Sequence, residues 1–125
     1  MSIAALQFMA NLMQGMGVPY QFMRWTEQPP DDYYTVGEYI ESTSLTREES
    51  GRQDSTFILR LFTRKSWMSL EQAKAKIESA VPITAILPDG TGIAVFYESG
   101  MVVPTGDMQL KSMQINLQVQ EWKVK

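Results

Sequence analysis

The chain has 125 residues, of which 44% are hydrophobic, and its formal net charge is −3. It contains no cysteine and no histidine, which excludes disulfides, thiolate metal sites, cysteine nucleophiles and the commonest general base. Lysine and arginine are scattered, which argues against a nucleic-acid-binding surface. Because no segment is typical of a signal peptide or a membrane span, we expect one soluble domain made in a cytoplasm.

The first predicted element is an N-terminal helix. Ser2 can cap it, and it runs from Ile3 to about Gln14. Its polar residues Gln7, Asn11 and Gln14 form one narrow stripe, and most of the remainder is apolar. Such a helix must be largely buried, either on its own sheet or against a neighbouring subunit.

A long hairpin follows a short possible strand within 20–26. Its two flanks, 33–41 and 55–64, are rich in residues that favour a pleated backbone. The second flank carries apolar side chains on both faces, which predicts a central strand that is covered on both sides. The polar segment between the flanks cannot build a core, so we predict a mobile arm at about 42–54 that serves a partner.

The second predicted helix begins at Ser69, which has capping-box spacing to Gln72, and it ends at Pro82. Its buried stripe comprises Leu70, Ala73, Ile77 and Ala80.

Three further strands are predicted in the C-terminal part. Strands 93–98 and 101–103 are joined by a tight reversal at Ser99-Gly100. In the last strand Met113, Ile115, Leu117 and Val119 alternate with Gln114, Asn116, Gln118 and Gln120. The apolar parity then shifts to Trp122 and Val124, which indicates a bulge or a change of covering surface.

This order of elements predicts an α+β domain over residues 1–125. We expect a single mixed, mostly antiparallel sheet with two helices packed on it and a long protruding β-hairpin. The predicted core contains Phe57, Leu59, Leu61, Val95, Ile115 and Leu117.

Charges gather in and around the arm and at the end of the returning strand. Arg60 lies between apolar neighbours and needs a carboxylate or carbonyl partner, which an intramolecular salt bridge or the acidic arm of a neighbouring subunit could supply. The candidate interface residues are Glu41, Leu45, Arg47, Glu48, Glu49, Arg52, Arg60, Arg64 and Lys65.

The residues give no support for catalysis or for a cofactor. Asp89-Gly90-Thr91-Gly92 lacks the lysine and the strand-to-helix context of a phosphate-binding loop, so it is predicted to be a turn. Asp31-Asp32 is predicted to be a polar turn, because no third carboxylate lies near it. The alternative is a small ligand-binding or enzymatic module whose pocket is lined by Trp25, Tyr33, Tyr39 or Trp67.

The whole chain resembles the tail terminator, or tail-completion, proteins of long-tailed bacteriophages and prophages. The resemblance lies in the size, the order of elements, the segment Tyr34-Thr35-Val36-Gly37-Glu38-Tyr39 leading to Ser55-Thr56-Phe57-Ile58-Leu59, and the ending Gln114-Ile115-Asn116-Leu117-Gln118-Val119.

This resemblance implies a virion structural protein without catalytic residues or cofactors. It implies a ring, expected to be a hexamer, that caps the tail tube, contacts the tube protein and the head–tail connector, and lets DNA pass without sequence-specific binding or membrane association. Its place would be the head-proximal end of the tail in the virion, after assembly in the host bacterial cytoplasm. A head-side connector (stopper) or another minor tail protein remains an alternative.

Overall fold

The computed structural model describes residues 1–41 and 51–123. Two helices and six strands follow one another along the chain. They are α1 (Ile3–Gly15), β1 (Tyr20–Phe22), β2 (Tyr34–Glu41), β3 (Arg52–Thr63), α2 (Trp67–Ala80), β4 (Ile83–Ile86), β5 (Thr91–Val103) and β6 (Lys111–Lys123).

All six strands form one sheet in the order β1-β2-β3-β6-β5-β4. β1 is parallel to β2, and every other neighbouring pair is antiparallel. The predicted class is confirmed: the protein is an α+β domain with a mixed, mostly antiparallel sheet and two helices. β3 is a central strand, as predicted, since it pairs with β2 on one side and with β6 on the other.

The hydrophobic core lies between the sheet and the two helices. The six residues predicted for the core are all fully buried, and α2 covers them with Leu70, Ala73 and Ile77. α1 is capped by Ser2 and buries Ala5, Met9 and Met13, while its polar stripe faces solvent. We expected α1 to be buried either on its own sheet or against a neighbouring subunit, and the structure shows that it packs on its own sheet.

The expectation that β3 is covered on both sides is wrong for the described residues. Both helices contribute to the core on one face, and the other face carries the side chains of Ile58, Arg60 and Phe62 without a covering element. Ile58 is nevertheless buried and Phe62 is half-buried, because neighbouring side chains in the sheet shield them. We call this second surface the open face.

The predicted start of the second helix is also wrong. α2 begins at Trp67 and its N-cap is Ser66, whose hydroxyl accepts a hydrogen bond from the backbone N–H of Met68 at 3.0 Å. Ser69 lies within the first turn, and its hydroxyl instead donates to Asp32 at 2.7 Å. Both serines precede apolar residues, and the one nearer the end of β3 serves as the cap.

The predicted reversal at Ser99-Gly100 does not occur, because β5 is one continuous strand. A β-bulge between Tyr97 and Ser99 interrupts its pairing with β6. β6 itself keeps a regular register with β3 up to Trp122, so the bulge considered for this strand does not occur, and the shift in parity reflects a change of covering surface. Trp122 lies on the open face beside Gly92, and Val124 lies outside the described residues. β4 was not predicted from the sequence.

Residues 52–54, which the sequence placed in the arm, belong to β3 and pair with β6. The remainder of the predicted arm up to Ser50 lies outside the described residues. No helix of the described chain is long and apolar enough to cross a bilayer.

Candidate functional site

The predicted interface residues that the structure describes do not form one cluster. Leu45, Arg47, Glu48 and Glu49 lie outside the described residues. Arg52 and Glu41 lie where β3 begins and β2 ends, whereas Arg64 and Lys65 follow the other end of β3. At about 3.3 Å per residue, the ends of β3 are roughly 36 Å apart. The base of the predicted arm is therefore distant from the basic group at Arg64 within one subunit.

Arg60 has an intramolecular partner on the open face. Its Nε donates to Glu38 Oε1 at 2.8 Å, and Glu38 belongs to the neighbouring strand β2. Both side chains are partly exposed, so this pair contributes little to stability, about 0–1 kcal/mol. Of the two alternatives, the structure shows the intramolecular bridge.

Arg64 is also paired within the chain. Its guanidinium donates to Asp107 Oδ2 at 3.0 Å, which links the end of β3 to the turn between β5 and β6. The backbone N–H of Gln109 and then the Arg64 guanidinium hold the pKa of the Asp107 carboxyl below its usual value. At the other end of β3, Arg52 donates to Asp54 at 3.1 Å. Arg52, Arg60 and Arg64 thus each have a local structural role.

The aromatic residues considered for a ligand pocket lie apart. Trp25 packs against Tyr34 with ring centroids 5.3 Å apart, and Tyr39 stacks on Phe22 at 6.1 Å. Trp67 lines a shallow groove of about 370 Å³ with the turn between β5 and β6. Tyr33 is buried as part of the core, and the four side chains do not converge on one cavity.

A cleft of about 780 Å³ lies at the arm end of the sheet. Three carboxylates line it, and each one already interacts with another group of the chain. Glu41 contacts the Met1 amino group, Asp89 accepts from the backbone N–H and hydroxyl of Thr91, and buried Glu121 accepts from the Ser2 hydroxyl at 2.6 Å. Among the described residues no group of three or more acidic side chains could hold a metal ion. The cleft therefore offers no arrangement with an evident catalytic chemistry.

The fold itself has known counterparts. No family model matches the chain, and no curated protein matches it. A chain from the virion of a native gene transfer agent particle is 12% identical to it, with a TM-score of 0.66, and the match covers 95% of this chain and 91% of that one. A second solved protein is 13% identical with the same TM-score, over 93% of this chain and 88% of the other. The chain therefore shares the fold of a virion component.

The folded domain leaves more apolar surface exposed than the sequence alone indicates. Met108 at the tip of the turn between β5 and β6 is 98% exposed and Ile3 is 87% exposed. Further exposed apolar side chains lie on β2, β5 and the start of α2: Ile40, Phe96, Met101, Val102, Trp67 and Met68. The nine methionines were a signal of such surface, because methionine suits adaptable protein contacts.

Proposed function

We propose that this protein is a structural component of a phage-like virion and acts as a tail terminator. In this role copies of the chain form a ring that caps the tail tube and joins it to the head connector. The observation that carries the proposal is the shared fold over nearly the whole length of a chain from a gene transfer agent particle. The partners that it implies are further copies of the chain, the tail tube protein and the head–tail connector protein.

The surface of the domain supports an assembly role. The core is complete within one subunit, yet large apolar side chains remain exposed on several elements. A subunit of a closed ring needs such surface on two different sides, since each copy contacts a neighbour on its left and another on its right. The chain carries exposed apolar residues on both halves of the sheet, with Ile40 on β2 and Met101 on β5.

The charge of the chain suits a ring that DNA traverses. Its net charge is −3, and the open face carries uncharged Gln114, Asn116 and Gln118 beside the paired Arg60. A neutral or negative lining lets the phosphate backbone pass without binding. The proposal accordingly includes no sequence-specific DNA contact and no catalytic step.

The location of the chain in the particle tests the proposal. A small epitope tag on the chain is detected by immunogold electron microscopy on separated heads and tails from cells that produce the whole particle. We expect the label at the head-proximal end of free tails. Label on free heads and none on tails would assign the chain to the head-side connector, the stopper. A chain absent from both would contradict a virion role.

The ring is tested separately by electron microscopy and native mass spectrometry of the purified chain and of isolated tails. We expect closed rings, with six copies as the expected number. A chain that stays monomeric on tails would contradict the ring.

A further inference from the structure

Two stretches of backbone at opposite sides of the sheet have no strand beside them within residues 1–41 and 51–123. On one side β1 pairs with β2 only from Thr35 to Gly37, which leaves the outer edge of 38–41 open. On the other side β4 pairs with β5 only from Gly92 to Val95, which leaves the outer edge of 96–103 open. We call these the β2 edge (38–41) and the β5 edge (96–103).

The β5 edge has a bulge between Tyr97 and Ser99, which normally hinders strand addition, but residues 99–103 beyond the bulge run in regular register beside β6 and have no further protective feature. The whole β5 edge spans about 25 Å and contains no proline and no lysine, and its single charged residue, Glu98, lies in the bulge. Phe96, Met101 and Val102 are exposed beside it. An open edge that is long and apolar is a template for a further strand.

Backbone groups on the two edges point outward at known positions. On β2 the N–H of Thr35 donates to Pro19, and the carbonyl of Gly37 accepts from Met23. Because the direction of the backbone groups alternates along a strand, the N–H and C=O groups of Tyr39 and Glu41 also point outward. On β5 the carbonyl of Thr91 accepts from Leu87, and after the shift at the bulge the outward residues of the β5 edge are Gly100 and Val102. Within the described part of the chain, each edge thus offers backbone donors and acceptors that face no neighbouring strand.

The strand directions favour a contact between the two different edges. β2, β3, β6 and β5 are antiparallel in turn, so β2 and β5 run in opposite directions. A second copy placed beside the first in the same orientation therefore sets its β2 edge antiparallel to the β5 edge of the first. Contact between two β5 edges would instead need a two-fold axis and would close a dimer, leaving both β2 edges open.

The side chains agree with this pairing. In this pairing the backbone of Tyr39 and Glu41 in one copy bonds to that of Val102 and Gly100 in the next. Ile40 of the first copy then lies directly opposite Met101 of the second. Both side chains lie on the open face, and they are 64% and 50% exposed in the single chain. Cross-strand apolar pairs of this kind stabilise sheets, and this one removes two large exposed groups from water.

We infer that the β5 edge binds the β2 edge of a second copy of this chain as an antiparallel strand, so that the sheets of neighbouring subunits are joined edge to edge. The contact is heterologous, and repeated around an axis it generates a ring. The inference rests on the proposed function for its ring, and it adds the surface by which the copies meet.

Cysteine cross-linking tests the pairing directly, because the chain has no cysteine of its own. Ile40→Cys and Met101→Cys are made separately and are oxidised alone and as a mixture, in isolated tails and in the purified chain. We expect no cross-linked product from either variant alone and dimers from the mixture, and the doubly substituted chain should give a ladder of larger products. Dimers from Met101→Cys alone would overturn the inference in favour of a two-fold contact, and an unlinked mixture would overturn it outright.

A proline tests the backbone hydrogen bonds. Met101 and Val103 pair with β6 while Val102 points outward, so Val102→Pro removes an outward N–H and spares the bonds to β6. Val102→Thr is the matched control, since it keeps the N–H and the β-branched shape. We expect Val102→Pro to lower the yield of joined particles roughly tenfold or more, whereas Val102→Thr stays within about twofold of the wild-type chain.

Circular dichroism and thermal unfolding show whether both variants are folded. If Val102→Pro is unfolded, the cysteine cross-linking is the test of the edge contact. Equal assembly by a folded Val102→Pro variant would overturn the inference. A wild-type chain that is missing from particles would contradict the proposed function and the inference that rests on it. A wild-type chain that is present, with an unlinked cysteine mixture, would contradict the edge contact alone.

Discussion

At the scale of single residues, the core of this domain depends on side chains that are entirely enclosed. Leu59 lies in the middle of the central strand and is fully buried between the sheet and the helices. Leu59→Ala should lower the free energy of unfolding by about 2–5 kcal/mol, because the change loses apolar burial and leaves a cavity. Denaturant unfolding monitored by tryptophan fluorescence measures this loss.

The exposed residue Ile40 provides the control for Leu59. It lies on β2 with 64% of its surface exposed, so Ile40→Ala should change stability by less than about 0.5 kcal/mol in the isolated chain. Equal losses for the two variants would contradict the assignment of the two faces.

A second residue-scale prediction concerns Gly92, which lies against the ring of Trp122. A Cβ at this position would stand 2.3 Å from Trp122 Cε2, closer than any side chain tolerates. Gly92→Ala should therefore destabilise the domain by about 1–3 kcal/mol. In a Trp122→Ala background the same change should be neutral or slightly stabilising, because the ring is gone and glycine is unfavourable in strands. A double-mutant cycle measures the coupling, and equal effects in both backgrounds would contradict the contact.

The sequence predicts which residues need a partner, but the identity of the partner depends on the register in which the strands pair. The sequence shows that Arg60 needs a partner, because its neighbours in the chain are apolar. It does not show that the partner is Glu38, since that follows from the pairing of Val36 with Arg60 between β2 and β3. A shift of the hairpin by two residues would have placed a different side chain beside Arg60.

At the scale of elements, the sequence predicts strands and helices better than it predicts where they end. The alternation in β6 is unambiguous, and the structure confirms it. Ser99-Gly100 suits a tight turn equally well, yet here it lies inside β5 because β6 offers a partner strand along its whole length. β4 has only Ile83–Ile86 between two prolines, and its pairing with β5 is what makes it a strand.

The start of α2 leads to a prediction at the element scale. Ser66 accepts a hydrogen bond from Met68 and caps the helix. Ser66→Ala should cost about 0.5–2 kcal/mol of stability, since it leaves an N-terminal backbone donor without a partner. Ser66→Asp is the matched control, because aspartate is an equally good cap, and it should retain the wild-type stability. Thermal unfolding of the three chains compares them, and an unchanged Ser66→Ala variant would place the start of the helix elsewhere.

At the scale of the whole molecule, the two ends of the sheet differ in character. The arm end holds a polar cleft with Glu41, Asp89 and Glu121, whereas the opposite end exposes Trp67 and Met108. A chain with two unlike ends and two unlike edges suits an assembly in which each surface meets a different neighbour. That the arm and the methionines serve partners stays a prediction from the sequence, whereas the location of the apolar surface needed the sheet topology.

The last prediction concerns the arm between β2 and β3, which we propose docks on an adjacent subunit or on the tail tube. Replacing residues 43–50 by a Gly-Ser-Gly linker retains Glu41 at the end of β2 and Arg52 at the start of β3, so no residue of the described core is lost. The thermal unfolding temperature should therefore stay close to that of the wild type, while the yield of joined particles should fall. A charge-only variant, Glu48→Gln with Glu49→Gln, separates electrostatic contacts from the rest of the arm. Because exposed ion pairs contribute only about 0–1 kcal/mol each, this variant should assemble more slowly and depend less on salt without losing assembly altogether. A folded linker variant that joins heads to tails normally would contradict a docking role, and an unfolded one would show that the arm stabilises the domain itself.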